Sequence, residues 1–230
     1  LLLESICAFV VPPLKDDNAS NVPGTPTSSD MDIDVSTVRG KGKAVATVSE
    51  GNETSSEEAS TSLAKIVFIL KLLMEILLLY SLSVHVLLRR DAEMSSSRGI
   101  YQKSHGSFGA RGIFYHILCN FLPHSRNSKK DKKVDDDWRQ KLATRAIQFM
   151  VAACVRSSEA RRRVFTEISH IINEFVDSYN CVKPTPTGNE IQVFVDLLND
   201  VLAARTPAGS SISVEASVTF MDAGLVKSFT

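Results

Sequence analysis

Read for apolar spacing, the second half of the chain is a succession of helices. Trp138, Leu142, Ala146, Phe149, Met150, Ala153 and Cys154 fall on one face of a 3.6-residue period. Val164, Ile168, Ile171, Ile172, Phe175 and Val176 form a second stripe, and Ile191, Phe194, Val195, Leu198, Val201 and Leu202 a third. The breakers lie between them, in "SYNCVKPTPTGN" and "RTPAGSS". No stretch alternates convincingly with period two, so the expected class is all-α.

Two short stretches share a pattern. In "ARGIFYHILCNFL" Gly112 precedes Ile113, Phe114 and Ile117, and in "DAGLVKSF" Gly224 precedes Leu225, Val226 and Phe229. Glycine suits a sharp turn after one helix because it takes positive φ without a Cβ clash. Helix, glycine turn and buried helix in succession is the pattern of armadillo-type solenoids. A helical bundle with glycine caps remains the alternative.

The most apolar stretch is "LAKIVFILKLLMEILLLYSLSVHVLLRR", residues 63 to 90. A spanning helix needs roughly 18 to 20 apolar residues. Here Lys65, Lys71 and Glu75 interrupt the run, and the longest stretch free of Asp, Glu, Lys and Arg is Ile76 to Leu88, which still holds Ser81, Ser83 and His85. On a helical wheel Lys71, Glu75, His85 and Arg89 share one narrow stripe with Leu78 and Leu82 between them, and Lys71 can pair with Glu75. The expectation is the inner helix of a stack with one edge in water, and no membrane partner; anchoring through residues 63 to 90 is the competing reading.

Composition divides the chain. Residues 1 to 11 read as the tail of a helix stopped by Pro12 and Pro13. Residues 12 to 61 are rich in Ser, Thr, Asp, Glu, Pro and Gly and contain no aromatic residue, so a disordered acidic, Ser-rich linker is expected there. Residues 62 to 230 form the expected armadillo-like helical region. The chain opens on Leu1 and "MDAGLVKSFT" ends as a new apolar pattern begins, so both ends are expected to be truncations of something longer. No secretory signal is expected. Apolar residues make up 43% of the chain, enough for a sizeable core, and 26 basic against 26 acidic residues leave no net charge to favour nucleic acid.

Candidate chemistry is sparse. His116, Cys119 and His124 are zinc-ligand types, but only three sit together, and core packing is the preferred reading. Arg161, Arg162 and Arg163 could grip a phosphate or an acidic partner, and a solvated face is preferred. In "NSKKDKKVDDD" four lysines precede three aspartates, a weak nuclear-import patch or a self-compensating loop. Ser29, Thr54 and Ser55 each have an acidic residue three positions on, as acidophilic kinases require. No nucleophile elbow, phosphate loop or dinucleotide fingerprint occurs. Cys7, Cys119, Cys154 and Cys181 are spread out with no C-x-x-C, as expected of reduced thiols in the cytoplasm or nucleus. No catalytic residue, cofactor site or metal site is assigned.

The wording of four stretches carries a resemblance: "SLAKIVFILKLLMEILLLYSLSVHVLLRRDAE", "RGIFYHILCNFLPHSRNSKKDKK", "WRQKLATRAIQFMVAACVRSSEARRRVFTEI" and "IQVFVDLLNDVLAARTPAGSSISVEASVTFMDAGLV". Together they resemble the plant giant HECT-type E3 ubiquitin-protein ligases, relatives of the animal HUWE and yeast Tom ligases. The resemblance implies a long armadillo-like α-solenoid ending in a HECT domain, which takes ubiquitin from a charged E2 onto a cysteine and passes it to a substrate lysine. It places this chain in the scaffold upstream of HECT, with protein substrates and the rest of the same chain as partners, and ubiquitin and E2 meeting the absent HECT domain. A HECT nucleophile usually follows a threonine; Cys7 follows Ile6, Cys119 follows Leu118, Cys154 follows Ala153 and Cys181 follows Asn180, so no catalytic residue carries over. The other reading of function is a non-catalytic helical adaptor.

Overall fold

The computed structural model describes residues 1–11, 54–96, 112–126, 134–179 and 189–229. Among them the chain is helical, and the single β feature is an isolated antiparallel bridge between Arg205 and Ser211. The all-α class expected from the apolar periods is the class observed. The elements are α1 (Leu2–Ala8), α2 (Thr54–Leu79), α3 (Ser83–Ser96), α4 (Ile113–Asn120), a 3₁₀ turn (Leu122–Arg126), α5 (Val134–Arg156), α6 (Ser158–Tyr179), α7 (Asn189–Ala203), α8 (Ser213–Asp222) and α9 (Leu225–Ser228).

Helix α5 is the centre. Its stripe is buried as the spacing requires, through Leu142, Ala146, Phe149, Met150, Ala153 and Cys154, with Trp138 partly covered. Ala143 and Ala152 are buried as well, so the covered surface exceeds one stripe. Helix α2 lies along α5, and the 3₁₀ turn, α6 and α7 also pack on it. Helix α6 in turn carries α4, α8 and α9. Successive packing thus runs α2, α5, α6, α8. Burying each large side chain, such as Phe149 or Phe165, contributes about 2 kcal/mol relative to leaving it in water.

Helix α2 begins at Thr54, within the segment 12 to 61 over which a linker is expected. Thr54 and Ser55 each precede a Glu by three positions, the sequence order of a helix start. Residues 12–53 lie outside the described residues, as do Ser29, Cys181 and most of the lysine-rich segment.

The apolar run 63 to 90 is also not one helix. It breaks at Tyr80–Leu82, where the Ser83 hydroxyl donates to the carbonyls of Tyr80 (2.5 Å) and Ile76 (3.2 Å). Both carbonyls also accept backbone amides, Ile76 from Tyr80 (2.9 Å) and Tyr80 from Ser83 (3.1 Å), so the hydroxyl adds a second donor at the helix end. Lys71 and Glu75 do not pair. Leu63, Ile66, Leu70 and Leu77 are buried towards α5, while Phe68, Leu72 and Leu79, on the opposite side of the helix, are exposed. The stripe left in water is therefore wider and more apolar than the narrow charged edge expected.

Between α5 and α6 stands one residue, Ser157, whose hydroxyl accepts the Ala160 amide (3.3 Å) at the start of α6. The arginine triplet follows at once and is not a solvated face. Arg161 is buried and donates to the Cys154 carbonyl at the end of α5 (3.0 Å) and to the Thr219 hydroxyl on α8 (3.3 Å). Arg163 donates to the Asp91 carboxylate (3.0 Å), the Leu88 carbonyl (3.3 Å) and Glu159 (3.1 Å). Arg162 alone is exposed, paired with Glu159. Orphan carbonyls at a helix end and a buried carboxylate need donors, and guanidinium supplies several from one rigid fork.

Both glycines singled out by the pattern sit at the N-cap of the helix they precede, α4 and α9. Their reasons differ. Gly224 has φ +75°, the left-handed region. Gly112 has φ −57°, which any residue adopts; here a Cβ would sit on the Asp91 carboxylate and 2.7 Å from the Ser95 hydroxyl. Asp91 is buried because it accepts the Phe114 amide (3.2 Å) at the start of α4 and pairs with Arg163. Gly112→Ala should therefore lower stability by about 1–3 kcal/mol through overpacking, against about 1 kcal/mol for Gly224→Ala, which strains the backbone but meets only the Ser169 hydroxyl, at 4.0 Å. Urea midpoints of the two variants measure this; a smaller loss for Gly112→Ala would refute the steric account.

Candidate interaction surfaces

Among the described residues, no group of three His, Cys, Asp or Glu could hold a metal ion. His116 Nε2 lies 3.1 Å from the Phe9 carbonyl and Nδ1 lies 3.2 Å from the Asn120 amide nitrogen. A neutral ring protonated on Nε2 satisfies both contacts, donating to the carbonyl and accepting from the amide. His116 also meets Phe121 edge-on, as Phe9 does. The ring thus fastens the end of α1 to α4. Burial pushes the buried Cys154 thiol up to about 12, so it stays protonated and unreactive at neutral pH.

What the chain offers to a partner is surface. One uncovered apolar face lies on α2, through Phe68, Leu72 and Leu79, and continues over Tyr80, Leu82 and Val86. A second lies on α8 and α9. Val214, Val218 and Met221 recur at i, i+4 and i+7 of α8 and are exposed, with Val226 and Phe229 beside them. That second face is held firmly. Phe220 meets Phe165 edge-on and stacks on Phe229, and the Ser169 and Ser228 hydroxyls are 2.8 Å apart. Leu225, which opens α9, is fully buried.

At the other side of the molecule ion pairs fix α1 and α3. Arg90 bridges Glu4 and Glu93, and Arg89 also reaches Glu93 (2.9 Å). Hydrogen bonds from the chain's N-terminus and from Arg90 hold the Glu4 carboxyl below its usual range. Burial works against Glu159, but its bonds from Arg163 and Arg162 outweigh this and lower it too.

No helix among the described residues is long and apolar enough to cross a membrane. No family model and no solved structure matches the chain. Two curated proteins do. E3 ubiquitin-protein ligase UPL2 of Arabidopsis thaliana is 31% identical over 210 residues, and E3 ubiquitin-protein ligase UPL1 of the same plant is 31% identical over 223. Each match covers 87% of this chain. These matches bear out the resemblance to the plant giant HECT-type E3 ubiquitin-protein ligases. It spans only about 6% of the length of either relative. The family was legible in long runs of wording; the two faces were not, because periodicity reports that a stripe is apolar and not whether anything covers it.

The histidines make the assembly sensitive to acid. Burial holds His116 below the ordinary imidazole value of 6.5, offset in part by the Phe9 and Ile6 carbonyls; burial and then the Arg139 charge do the same to His124. The unfolded chain therefore binds more protons than the folded one below that value. Stability is complete above pH 6.5 and falls as pH drops towards the folded values. Urea midpoints should decline between pH 7 and about 5.5, and a His116→Gln, His124→Gln variant should flatten that slope. The lowered carboxylates act separately, losing their contribution as pH falls below about 4.5. A midpoint constant from pH 7 to 5.5 in the parent chain would contradict this.

Proposed function

We propose that this chain is a scaffold and substrate-presenting segment of a HECT-type E3 ubiquitin-protein ligase. Kinship with the two plant ligases carries the reading. Its architecture supports it. Helices α2, α5, α6 and α8 pack one on the next, as an armadillo-like stack requires, and in this reading the uncharged stripe Val214, Val218 and Met221 is where the stack continues into the rest of the ligase chain. Such a stack holds a bound protein substrate at a set distance from the domain that carries ubiquitin. Ubiquitin and the charged E2 meet that domain, in the cytoplasm or nucleus, and not this segment.

In this reading the segment supplies position and no nucleophile. The chain alone, given E1, charged E2 and ubiquitin, should form no reductant-sensitive adduct. In the intact ligase, Val214→Ser, Val218→Ser and Met221→Ser together should leave the ubiquitin thioester on the HECT domain unchanged. Transfer to substrate lysines should fall by roughly fivefold or more, about 1 kcal/mol of positioning. Substrate transfer equal to the parent ligase would overturn the proposal.

A further inference from the structure

The uncovered face of α2 differs from that of α8 in one respect: it carries charge. Thr61, Lys65, Phe68, Leu72, Glu75 and Leu79 follow one another at three- and four-residue steps, a single face opposite the side buried on α5. Phe68 is 64% and Leu79 72% exposed. Lys65 and Glu75 are exposed and make no ion pair among the described residues. Their placement is symmetric. Phe68 and Leu72 stand two positions either side of Leu70, Lys65 and Glu75 five either side, and Thr61 and Leu79 nine either side.

We infer that this face binds a second copy of the chain, with two α2 helices antiparallel about a twofold axis at the level of Leu70. A twofold contact is self-complementary: whatever one helix presents, its partner presents in reverse order. Here that order sets Phe68 of one copy against Leu72 of the other, twice, at the centre. Lys65 of one copy lies level with Glu75 of the other at both ends. The two charges occupy opposite flanks of the face, so each pair spans the seam near its end, a gap that lysine and glutamate side chains reach across. Lys71 sits at the rim and stays in water. The face runs roughly 27 Å from Thr61 to Leu79 at 1.5 Å per residue, long enough for an apolar core with a polar rim. Twenty-six basic and 26 acidic residues leave no net charge to keep two copies apart. A parallel arrangement would set Lys65 beside Lys65 and Glu75 beside Glu75, so the charges choose the antiparallel one.

Sedimentation equilibrium of the whole 230-residue chain tests the pairing. The parent should show a monomer–dimer equilibrium below about 100 μM. Lys65→Glu and Glu75→Lys should each weaken it by roughly tenfold, the Lys65→Glu, Glu75→Lys double variant should restore it, and Phe68→Asp should abolish it. All four are surface changes, and unchanged helical circular dichroism confirms that each variant folds. A monomeric parent overturns the inference and leaves the face to another part of a longer chain. Single reversals without effect, or a double variant that fails to recover, overturn the antiparallel register. Because the readout is association alone, it is independent of whether the segment serves a ligase.

Discussion

Helix α5 has to be buried on several sides at once, and the rest of the molecule is arranged around meeting that requirement. A helix so placed needs small residues where neighbours approach and large ones where gaps must be filled. The chain supplies both: Ala143, Ala146, Ala152 and Ala153 beside Leu142, Phe149 and Met150. Backbones can then come close without voids, and α2 on one side and α6 on another become layers of one stack. Its end is sealed by Arg161, which reaches back from α6 to the Cys154 carbonyl and onward to α8. One buried guanidinium therefore spans three successive helices.

A second node, at Asp91, sets the angle between α3, α4 and α6. Its carboxylate begins α4 at the Phe114 amide and receives Arg163 from α6. A buried carboxylate without these donors would cost several kcal/mol. The pair is thus better read as fixing one arrangement than as adding net stability, and Gly112 is the space that arrangement requires. The glycine is there for the carboxylate, whereas Gly224 is there for its own backbone.

How much of this could be seen in advance follows from what periodicity measures. The stripes of α6 and α7 were legible because each buries one face, that of α5 because its largest side chains share one, and the turn after α7 was legible from Pro207 and Gly209. The resemblance was read from four long stretches, and the relative found is 31% identical over 87% of the chain. The arginine triplet misled, because three adjacent charges look solvated until a distant carboxylate and two helix ends claim two of them. Residues 63 to 90 misled for a related reason. Apolar residues on opposite sides of α2 look like one inner helix, and nothing local says that only one side is covered. The break at Tyr80–Leu82 rests on a serine hydroxyl, a cue too common to read alone.

The two-sided apolar character of α2 also matters for how the protein is made. Its neighbour α5 ends at Arg156, well downstream of Leu79. Translation at 5–20 residues per second therefore leaves a finished α2 without its main packing partner for roughly 4–15 s. During that interval both apolar stripes face water on a tethered chain, beside other copies emerging from the same message. A helix of this kind is a natural client for chaperones that hold nascent chains, and its lysines are the feature that keeps it dispersed until α5 arrives.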